Sequence, residues 1–146
     1  MREDRIVRGG GAPRRVVEVV QDRHGNPIEI FDPPFYRKEF EDAYRFIIDE
    51  YVVLPKEIAL FLPCAVRKPY SQSPSHKLFR RIIDGVLAPA DYHIVIFGTC
   101  GTVPAELECM YPYRNYHYML GKTTDERIRR DFHRIEVYRL TGYLEK

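Results

Sequence analysis

The sequence has no long apolar run, few cysteines and little net charge, and each absence excludes a class of protein. No apolar stretch approaches the roughly 20 residues that a membrane-spanning helix needs. Residues 2–5 are all charged and no long apolar segment follows, so no secretory signal is expected. Cys64, Cys100 and Cys109 match neither a zinc-binding spacing nor a disulfide framework. We therefore predict a cytoplasmic protein with reduced thiols, no metal, no cofactor and no contact with a membrane.

The composition that remains is that of an ordinary globular protein. Of the 146 residues, 45% are apolar and 30% are charged, which predicts one folded domain with one core. A net charge of +2 is too small to identify a nucleic-acid-binding protein. Arginine outnumbers lysine by 17 to 6, and its planar guanidinium suits contacts with phosphate or carboxylate groups.

The N-terminal part of the chain divides into a charged segment and a segment in which polar and apolar residues alternate. Residues 1–13 combine charged residues with a glycine-rich stretch, which predicts a flexible basic arm. Residues 14–146 are then a single α/β domain. At its start, residues 14–31 alternate in polarity around a turn at 24–27, which predicts a β-hairpin that flanks the main sheet.

Strands and helices alternate after residue 33. A helix opened by Pro33 and Pro34 is followed by strands at 57–62, 93–97 and 116–120, with helices beginning at Pro74, at Pro104 and near 123–126. The first two strands are continuously apolar, as expected of strands buried on both faces. Because the connections are too long for hairpins, we predict a three-layer α/β/α fold with a mainly parallel central sheet covered by helices on both faces.

Two loops should meet at the edge of that sheet where ligands bind, since they follow the carboxyl ends of parallel strands. They are residues 63–73 and 98–103. In the first loop, Cys64 could be a nucleophile whose pKa is lowered by Lys68 or Arg67, or a small buried side chain like most free cysteines. Lys68 could bind an anion, act as an amine or remain solvated.

Three further side chains of the first loop have both a structural and a functional interpretation. Ser73 is predicted as the N-cap of the helix that Pro74 begins, and it could also contact a ligand. His76 lies in the first turn of that helix, where the helix dipole disfavours its charged form. It could be a neutral acid or base, a stacking group or a surface imidazole. Tyr70 could stack on a ligand or pack beneath the loop.

The second loop offers backbone rather than side-chain chemistry. Gly98, Thr99 and Gly101 allow amide groups to approach a bound oxygen closely, although no phosphate-loop or dinucleotide spacing is present. Glu106, just after Pro104, suits the start of a helix and could also act as an acid or base.

Two other patterns have both a structural and a functional interpretation. Tyrosines at 111, 113, 116 and 118 form a half-buried aromatic strand or a surface that stacks on nucleobases. The helix from Arg127 to Arg139 mixes five arginines with acidic residues, which favours a solvated face over a stripe that binds RNA.

The first loop also carries a longer signature. The pattern Pro63-Cys64-x-x-x-Lys68-Pro69-Tyr70-x-x-Ser73-x-x-His76 resembles that of the archaeosine synthases, archaeal tRNA-modifying paralogues of tRNA-guanine transglycosylase. The segment from Gly101 to Pro112, which contains Val-Pro-x-Glu-Leu-Glu, resembles a second block of the same domain. The resemblance spans about residues 35–120, most of the chain.

This resemblance implies a fold similar to that of uracil-DNA glycosylases and an enzyme of the transferase class. The family acts on tRNA that carries 7-cyano-7-deazaguanine and adds an amine, from lysine or glutamine, across the nitrile. The implied partners are tRNA and the amine donor, together with a separate transglycosylase or PUA-type subunit or a radical-SAM lyase. The alternatives are a non-catalytic tRNA-binding subunit and a base-binding enzyme with glycosylase-like chemistry.

The resemblance and the two loops together define the candidate site. The candidate catalytic residues are Cys64, Lys68, His76 and Glu106. The candidate substrate-binding residues are Pro63, Tyr70, Ser73, Gly98, Thr99 and Gly101.

Overall fold

The computed structural model describes residues 6–7, 14–21, 24–31, 33–114, 116, 118 and 125–146. Its N-terminal sheet contains β1 (Ile6–Val7), β2 (Arg14–Gln21) and β3 (Pro27–Phe31), which pair antiparallel in that order. The predicted hairpin over residues 14–31 is therefore confirmed. Strand β1 falls within the segment predicted as a flexible arm, and the rest of residues 1–13 lies outside the described residues.

The second sheet carries the candidate site and has mixed polarity. It contains β4 (Ile58–Pro63), β5 (Tyr92–Gly98) and β6 (Gly101–Pro104) in that order. Strands β4 and β5 are parallel, as predicted, whereas β5 and β6 are antiparallel. The α/β class is confirmed. A mainly parallel sheet is not, because the segment predicted as a loop forms a hairpin.

Two glycines explain that hairpin. Gly98 and Gly101 pair across β5 and β6, and their φ angles are +155° and +107°. L-residues with side chains rarely adopt such angles. Only Thr99 and Cys100 lie between the two glycines, so the chain reverses within two residues and adds an antiparallel strand.

The sequence predicted that β4 is buried on both faces, and this is wrong. Among the described strands, β4 pairs with β5 alone and lies at the end of the strand order. Exposure alternates along it, and Phe61 is 40% exposed. Strand β5 does form part of the core, with Ile94, Val95 and Ile96 buried. The continuous apolar run at 58–62 therefore does not distinguish an edge strand from a central one.

The described residues contain three α-helices. Helix α1 (Lys38–Asp49) follows a 3-10 turn at Pro34–Tyr36, and α2 (Pro74–Asp84) ends at Gly85 as predicted. Helix α3 (Glu126–Leu144) is capped by Asp125, whose side chain accepts a hydrogen bond from the backbone nitrogen of Arg127. No helix among the described residues is long and apolar enough to cross a membrane.

Helices α1 and α3 pack against β6 and against each other, and the core lies between them and the second sheet. Phe40 and Ile47 of α1 are fully buried there with Val103 of β6, and burial of each such side chain stabilises the fold by about 1.5–3 kcal/mol. The apolar residues Leu78 and Ile82 of α2 stay 47% and 58% exposed.

The segment after β6 contains less regular structure than predicted. A 3-10 turn at Ala105–Leu107 stands where a helix to residue 111 was predicted. Tyr116 and Tyr118, within the predicted third strand, are buried but not in strand conformation, and the rest of that strand lies outside the described residues. Tyr113 is also buried, so these three rings belong to the core, while Tyr111 is 60% exposed.

Candidate active site at the ends of strands β4 and β5

Cys64 lies directly after β4, where the parallel strands end. Its backbone nitrogen donates to the carbonyl of Phe97 at 3.1 Å, which extends the β4–β5 ladder by one bond. Its sulfur lies 3.7 Å from the hydroxyl of Thr99. A Cβ built on Gly98 would come within 2.5 Å of that sulfur, so a glycine is needed beside the thiol. The hairpin turn and the end of β4 therefore fit closely around Cys64.

The surroundings of Cys64 favour the thiolate. The pKa of Cys64 falls to about 5, first through the influence of the neighbouring Cys100 thiol, and also because of Thr99 and the Lys68 charge. Burial acts in the opposite direction and is outweighed. Burial raises the pKa of Cys100 well above its usual value, and the adjacent Cys64 raises it further. At neutral pH the pair thus consists of a Cys64 thiolate and a Cys100 thiol.

The Lys68 ammonium, which lies near this thiolate, contacts backbone carbonyls and two tyrosine rings. Its ammonium donates to the carbonyls of Ala65 and Val66, the latter at 3.0 Å. It also lies 4.1 Å from the centre of the Tyr116 ring and 5.3 Å from that of Tyr70. Burial lowers the pKa of Lys68, while the charge of Cys64 opposes that shift. The site thereby places a partly desolvated cation beside a partly desolvated thiolate.

Tyr70 is fully buried, and its hydroxyl lies 2.7 Å from that of Tyr116. Burial raises the pKa of both tyrosines well above the usual value. The two hydroxyls therefore stay protonated and form one wall of the site. The turn that carries Tyr70 is fixed by Glu108, which accepts hydrogen bonds from the Ser71 backbone at 3.0 Å and hydroxyl at 2.6 Å.

Ser73 and His76 hold the scaffold of the site together. The Ser73 hydroxyl accepts a hydrogen bond from the His76 backbone nitrogen at 3.2 Å, which confirms the predicted N-cap of α2. The His76 ring is fully buried, and its Nε2 lies 2.6 Å from the carbonyl oxygen of Pro63. Because a carbonyl only accepts, Nε2 carries the proton. Ser73 thus caps α2, and His76 ties the start of α2 to the end of β4.

Glu106 lies at the opposite end of β5 from Cys64. Its carboxylate accepts a hydrogen bond from the hydroxyl of Tyr51 and lies 3.9 Å from Nδ1 of His93. His93 in turn makes a 2.8 Å hydrogen bond with the hydroxyl of Tyr143. These residues adjoin an open cleft of about 510 Å³, which also contains Lys56, Arg80 and Glu108. The structure therefore brings Cys64, Lys68, Tyr70, Gly98 and Thr99 together, but not Glu106.

Two charged residues of α3 approach the hairpin instead. Glu136 and Arg139 are 3% and 1% exposed, so the expectation of a solvated face is wrong at these positions. Glu136 accepts a hydrogen bond from Thr102 at 3.1 Å, and burial raises its pKa to about 7. Arg139 lies against Gly101, where a Cβ would come within 3.5 Å of the guanidinium, and donates to Glu41 at 3.4 Å.

Sequence reasoning missed both residues of α3 and the role of Cys100. Their helical spacing is the same as that of solvated charges, and burial results only from the packing of α3 on α1 and β6. Among the described residues, no cluster of three or more histidine, cysteine, aspartate or glutamate side chains could hold a metal ion.

The chain is similar to proteins named archaeosine synthase or archaeosine synthase subunit alpha. It is 36% identical over 81 residues to the archaeosine synthase subunit alpha of Thermoplasma acidophilum, and 39% identical over 82 residues to that of Methanosarcina acetivorans. It is 35% identical over 57 residues to the archaeosine synthase of Haloferax volcanii. The first two matches each cover 56% of this chain but only 16% and 13% of the relative, so the chain corresponds to a small part of those proteins.

No solved structure matches the chain, so the resemblance to uracil-DNA glycosylases stays a prediction. The family comparison is more direct. The sequence pattern of a domain of unknown function, DUF5591, matches residues 41–135, which include both strands of the site, the Cys64 loop and the hairpin. That match covers well over half of the chain, and the protein therefore belongs to the DUF5591 family, related to the archaeosine synthases.

Proposed function

We propose that this chain is a tRNA-modifying transferase of archaeosine biosynthesis, which adds an amine to the nitrile of 7-cyano-7-deazaguanine in tRNA. The observation that carries the proposal is the Cys64 thiolate, held between Cys100, Thr99 and Lys68 at the carboxyl ends of two parallel strands. The names of the relatives support the same pathway.

In the first step, the Cys64 thiolate attacks the nitrile carbon. A sulfur–carbon bond forms, one π bond of the nitrile breaks and the nitrogen takes up a proton, which gives a covalent thioimidate. The negative charge moves from sulfur towards nitrogen during this step. Lys68 lies within electrostatic reach of the sulfur, and its fixed positive charge stabilises that developing charge.

In the second step, the amine of lysine or a glutamine-derived amine displaces the thiolate and leaves a substituted amidine. Because Cys64 has a low pKa, it is a good leaving group as well as a nucleophile. The proton of His76 Nε2 is engaged by the Pro63 carbonyl, so the proposal assigns His76 and Ser73 to the scaffold. Thr99, Gly98 and Gly101 line the turn where the base would contact the backbone.

A folded tRNA needs more contact surface than the loop around Cys64 offers. The relatives are six or more times longer than the matched segment, and two are named as subunits. We propose that a separate chain, of the transglycosylase or PUA type, presents the tRNA to this domain.

The direct test is mass spectrometry of nucleosides from tRNA carrying 7-cyano-7-deazaguanine, after incubation with the protein and either lysine or glutamine. We expect a mass gain that corresponds to the added amine. Cys64→Ser should reduce its rate by about 1000-fold or more. Cys109→Ser, which removes an exposed thiol, is the matched control and should leave the rate unchanged. No gain with either donor, with or without a partner chain, would instead indicate a tRNA-binding subunit.

A second test measures the thiolate itself. The rate at which iodoacetamide alkylates Cys64 should be nearly constant above about pH 6, because the pKa of Cys64 is about 5. Cys100→Ala removes the neighbouring thiol that contributes most to this low pKa. The profile of that variant should move to higher pH, with alkylation at pH 6 slower by about tenfold. Identical profiles would show that Cys100 does not stabilise the thiolate.

A further inference from the structure

A groove at the His93 end of β5 has no part in the proposed mechanism. It consists of two cavities of about 510 Å³ and 420 Å³, which share Leu54, Lys56 and His93 as lining residues. Because they share these side chains, the two cavities form one continuous groove, here named the His93 groove. Each cavity has the volume of a small-molecule site, about 300–1000 Å³, so the groove can hold two linked units of that size.

Apolar side chains and rings form the walls of the His93 groove. Val52 and Leu54, in the segment between α1 and β4, are 76% and 69% exposed. The rings of Tyr51, Tyr92 and His93 line the larger cavity. Exposed apolar side chains beside aromatic rings are typical of surfaces that bind a flat, partly apolar ligand. Unstacked nucleobases are ligands of this kind.

Positively charged side chains lie along the groove. Arg80 of α2 lines the larger cavity, and its Nε is buried without a hydrogen-bond partner among the described residues. An unpaired buried donor destabilises a folded protein, so an acceptor on a ligand would stabilise this one. Lys56 lines both cavities and donates to the carbonyl of Ala90 at 3.1 Å, which uses one of the three N–H groups of its ammonium. Lys146 lines the smaller cavity.

Two carboxylates also line the larger cavity, and both have partners. Glu106 accepts a hydrogen bond from the hydroxyl of Tyr51, and Glu108 accepts two from Ser71. The cations of the groove are therefore less completely paired than its carboxylates. A ligand rich in acceptor atoms fits them, and base carbonyls, ring nitrogens and phosphate oxygens are such acceptors. Because the carboxylates repel a phosphate, a base rather than a phosphate fits beside them.

We propose that the His93 groove binds two successive, unstacked nucleotides of the tRNA substrate. One base lies in the larger cavity, with an acceptor atom on Arg80, and the next base lies in the smaller cavity against the apolar wall. The phosphate that joins them lies at Lys56, which lines both cavities. Rings beside a row of cations are a common means of binding single-stranded nucleic acid. This inference rests on the proposed function, since it names a second contact with the same substrate.

The groove contacts a part of the tRNA that does not react. Tyr92 and Gly98 are the two ends of β5, and six residue steps of about 3.3 Å each separate them by roughly 20 Å. A nucleotide in the groove therefore belongs to a different part of the tRNA from the base at Cys64. Two contacts at this separation fix the orientation of the RNA relative to the thiol, which one base pocket cannot do.

The test measures the fluorescence anisotropy of a dye-labelled single-stranded RNA of about ten nucleotides, without an amine donor. We expect Arg80→Ala to raise Kd by about tenfold, because the base in the larger cavity loses its hydrogen-bond donor. Arg81→Ala is the matched control. It removes the same charge from the next residue of α2, which is exposed and lines neither cavity, so Kd should change by less than about threefold.

A second pair of variants tests the apolar wall without changing a buried group. Leu54→Asp places a negative charge in the groove and should also raise Kd by about tenfold. Val86→Asp changes a similarly exposed apolar side chain outside both cavities and should alter Kd by less than about threefold. Because both positions are exposed, neither substitution should unfold the protein, and circular dichroism checks this.

Competition experiments distinguish an RNA strand from a free nucleotide. The unlabelled single strand should displace the labelled one at a concentration near its own Kd. The same sequence in a duplex, and a nucleoside monophosphate, should each require a concentration at least about tenfold higher. A nucleoside monophosphate that competes as well as the single strand would show that the groove holds one free nucleotide, and would overturn the proposal.

The inference is also wrong if no RNA binds at protein concentrations up to about 100 µM, or if the two members of each pair of variants give equal Kd values. Binding that depends on Arg80 and Leu54, together with an inactive nitrile assay, would retain the groove and reject the proposed reaction. Amine addition in that assay, with equal RNA binding by Arg80→Ala and Arg81→Ala, would reject the groove and retain the reaction.

Discussion

The two ends of strand β5 contain similar types of residue in opposite environments. At the Gly98 end, the Cys64 thiolate lies among buried groups, and the carboxyl of Glu136, which contacts Thr102 of the hairpin, is 3% exposed. At the His93 end, the Glu106 side chain is 45% exposed beside a cleft of about 510 Å³. The open cleft and the reactive thiol are therefore at different ends of the strand.

The difference shows which surroundings shift the pKa values of side chains in this fold. At the Gly98 end, the influence of Cys100 lowers the pKa of Cys64 to about 5, whereas burial raises the pKa of Glu136 to about 7. The His93 end adjoins the open cleft and is more accessible to solvent. There, Tyr51 is hydrogen-bonded to Glu106, and His93 to Tyr143. The end with the larger cleft is therefore not the end with the strongly shifted pKa values.

The largest effect is expected from a substitution that disturbs the packing around the Cys64 sulfur. Gly98→Ala would place a Cβ 2.5 Å from the Cys64 sulfur and force φ of +155° on a residue with a side chain. We expect a loss of about 1–3 kcal/mol in the free energy of unfolding and at least about a tenfold slower alkylation of Cys64.

Gly85→Ala is the control for Gly98→Ala. Gly85 has a φ of −75° at the end of α2, and the nearest atom to its added Cβ is 3.4 Å away. Its free energy of unfolding should change by less than about 1 kcal/mol, and alkylation of Cys64 should be unaffected. Equal effects of the two substitutions in denaturant and alkylation measurements would contradict a close fit around the thiol.

The second prediction concerns pH. Because burial raises the pKa of Glu136 to about 7, the folded protein binds a proton more tightly than the unfolded chain. The associated stability is fully present below the ordinary glutamate pKa, about 4.5, and is lost as the pH rises through 7. The wild-type free energy of unfolding should therefore fall between pH 5 and pH 8. Relative to wild type, Glu136→Gln should become more stable by about 1–3 kcal/mol over the same interval.

Urea unfolding at the two pH values measures this difference. Glu106→Gln, on the exposed end of the comparison, should differ from wild type by less than about 0.5 kcal/mol at both pH values. If Glu136→Gln shows no more pH dependence than Glu106→Gln, burial does not disturb the carboxyl and the two ends of β5 are electrostatically alike.

The smallest effect is expected at the His93 end itself. Tyr143→Phe removes a hydroxyl that makes a 2.8 Å hydrogen bond with His93. The free energy of unfolding should fall by about 0.5–1.5 kcal/mol, and the rate of amine addition should stay within about twofold of wild type. A loss of activity much larger than the loss of stability would place catalysis at this end of the strand.

Local patterns predicted the parts of the site that depend on local chemistry. The apolar run before Cys64 placed the thiol at the end of a strand, and Ser73 before Pro74 placed the start of α2. Both are confirmed. The pairing of β4 with β5 followed from the length of the connection between them.

What the sequence did not predict depends on long-range packing. The separation of Gly98 and Gly101 by two residues was a signal for a hairpin, but glycines near a strand end equally suggest a ligand-binding loop. Whether Glu136 and Arg139 are solvated depends on where α3 lies, and nothing in their spacing reveals that. Glu106 was assigned to the site because its turn follows the loop, yet the antiparallel β6 carries it back along β5.

The hydrogen bond from His76 to the Pro63 carbonyl limits what a match to this sequence pattern says about activity. Two of the fixed positions in the Pro-Cys…Lys-Pro-Tyr…Ser…His pattern have structural roles: Ser73 caps helix α2, and His76 joins that helix to strand β4. A chain that kept them and replaced Cys64 would still build the loop, and a search would still retrieve it. Ser73 and His76 alone therefore do not distinguish a family member that carries the cysteine and the lysine of this loop from one that lacks them.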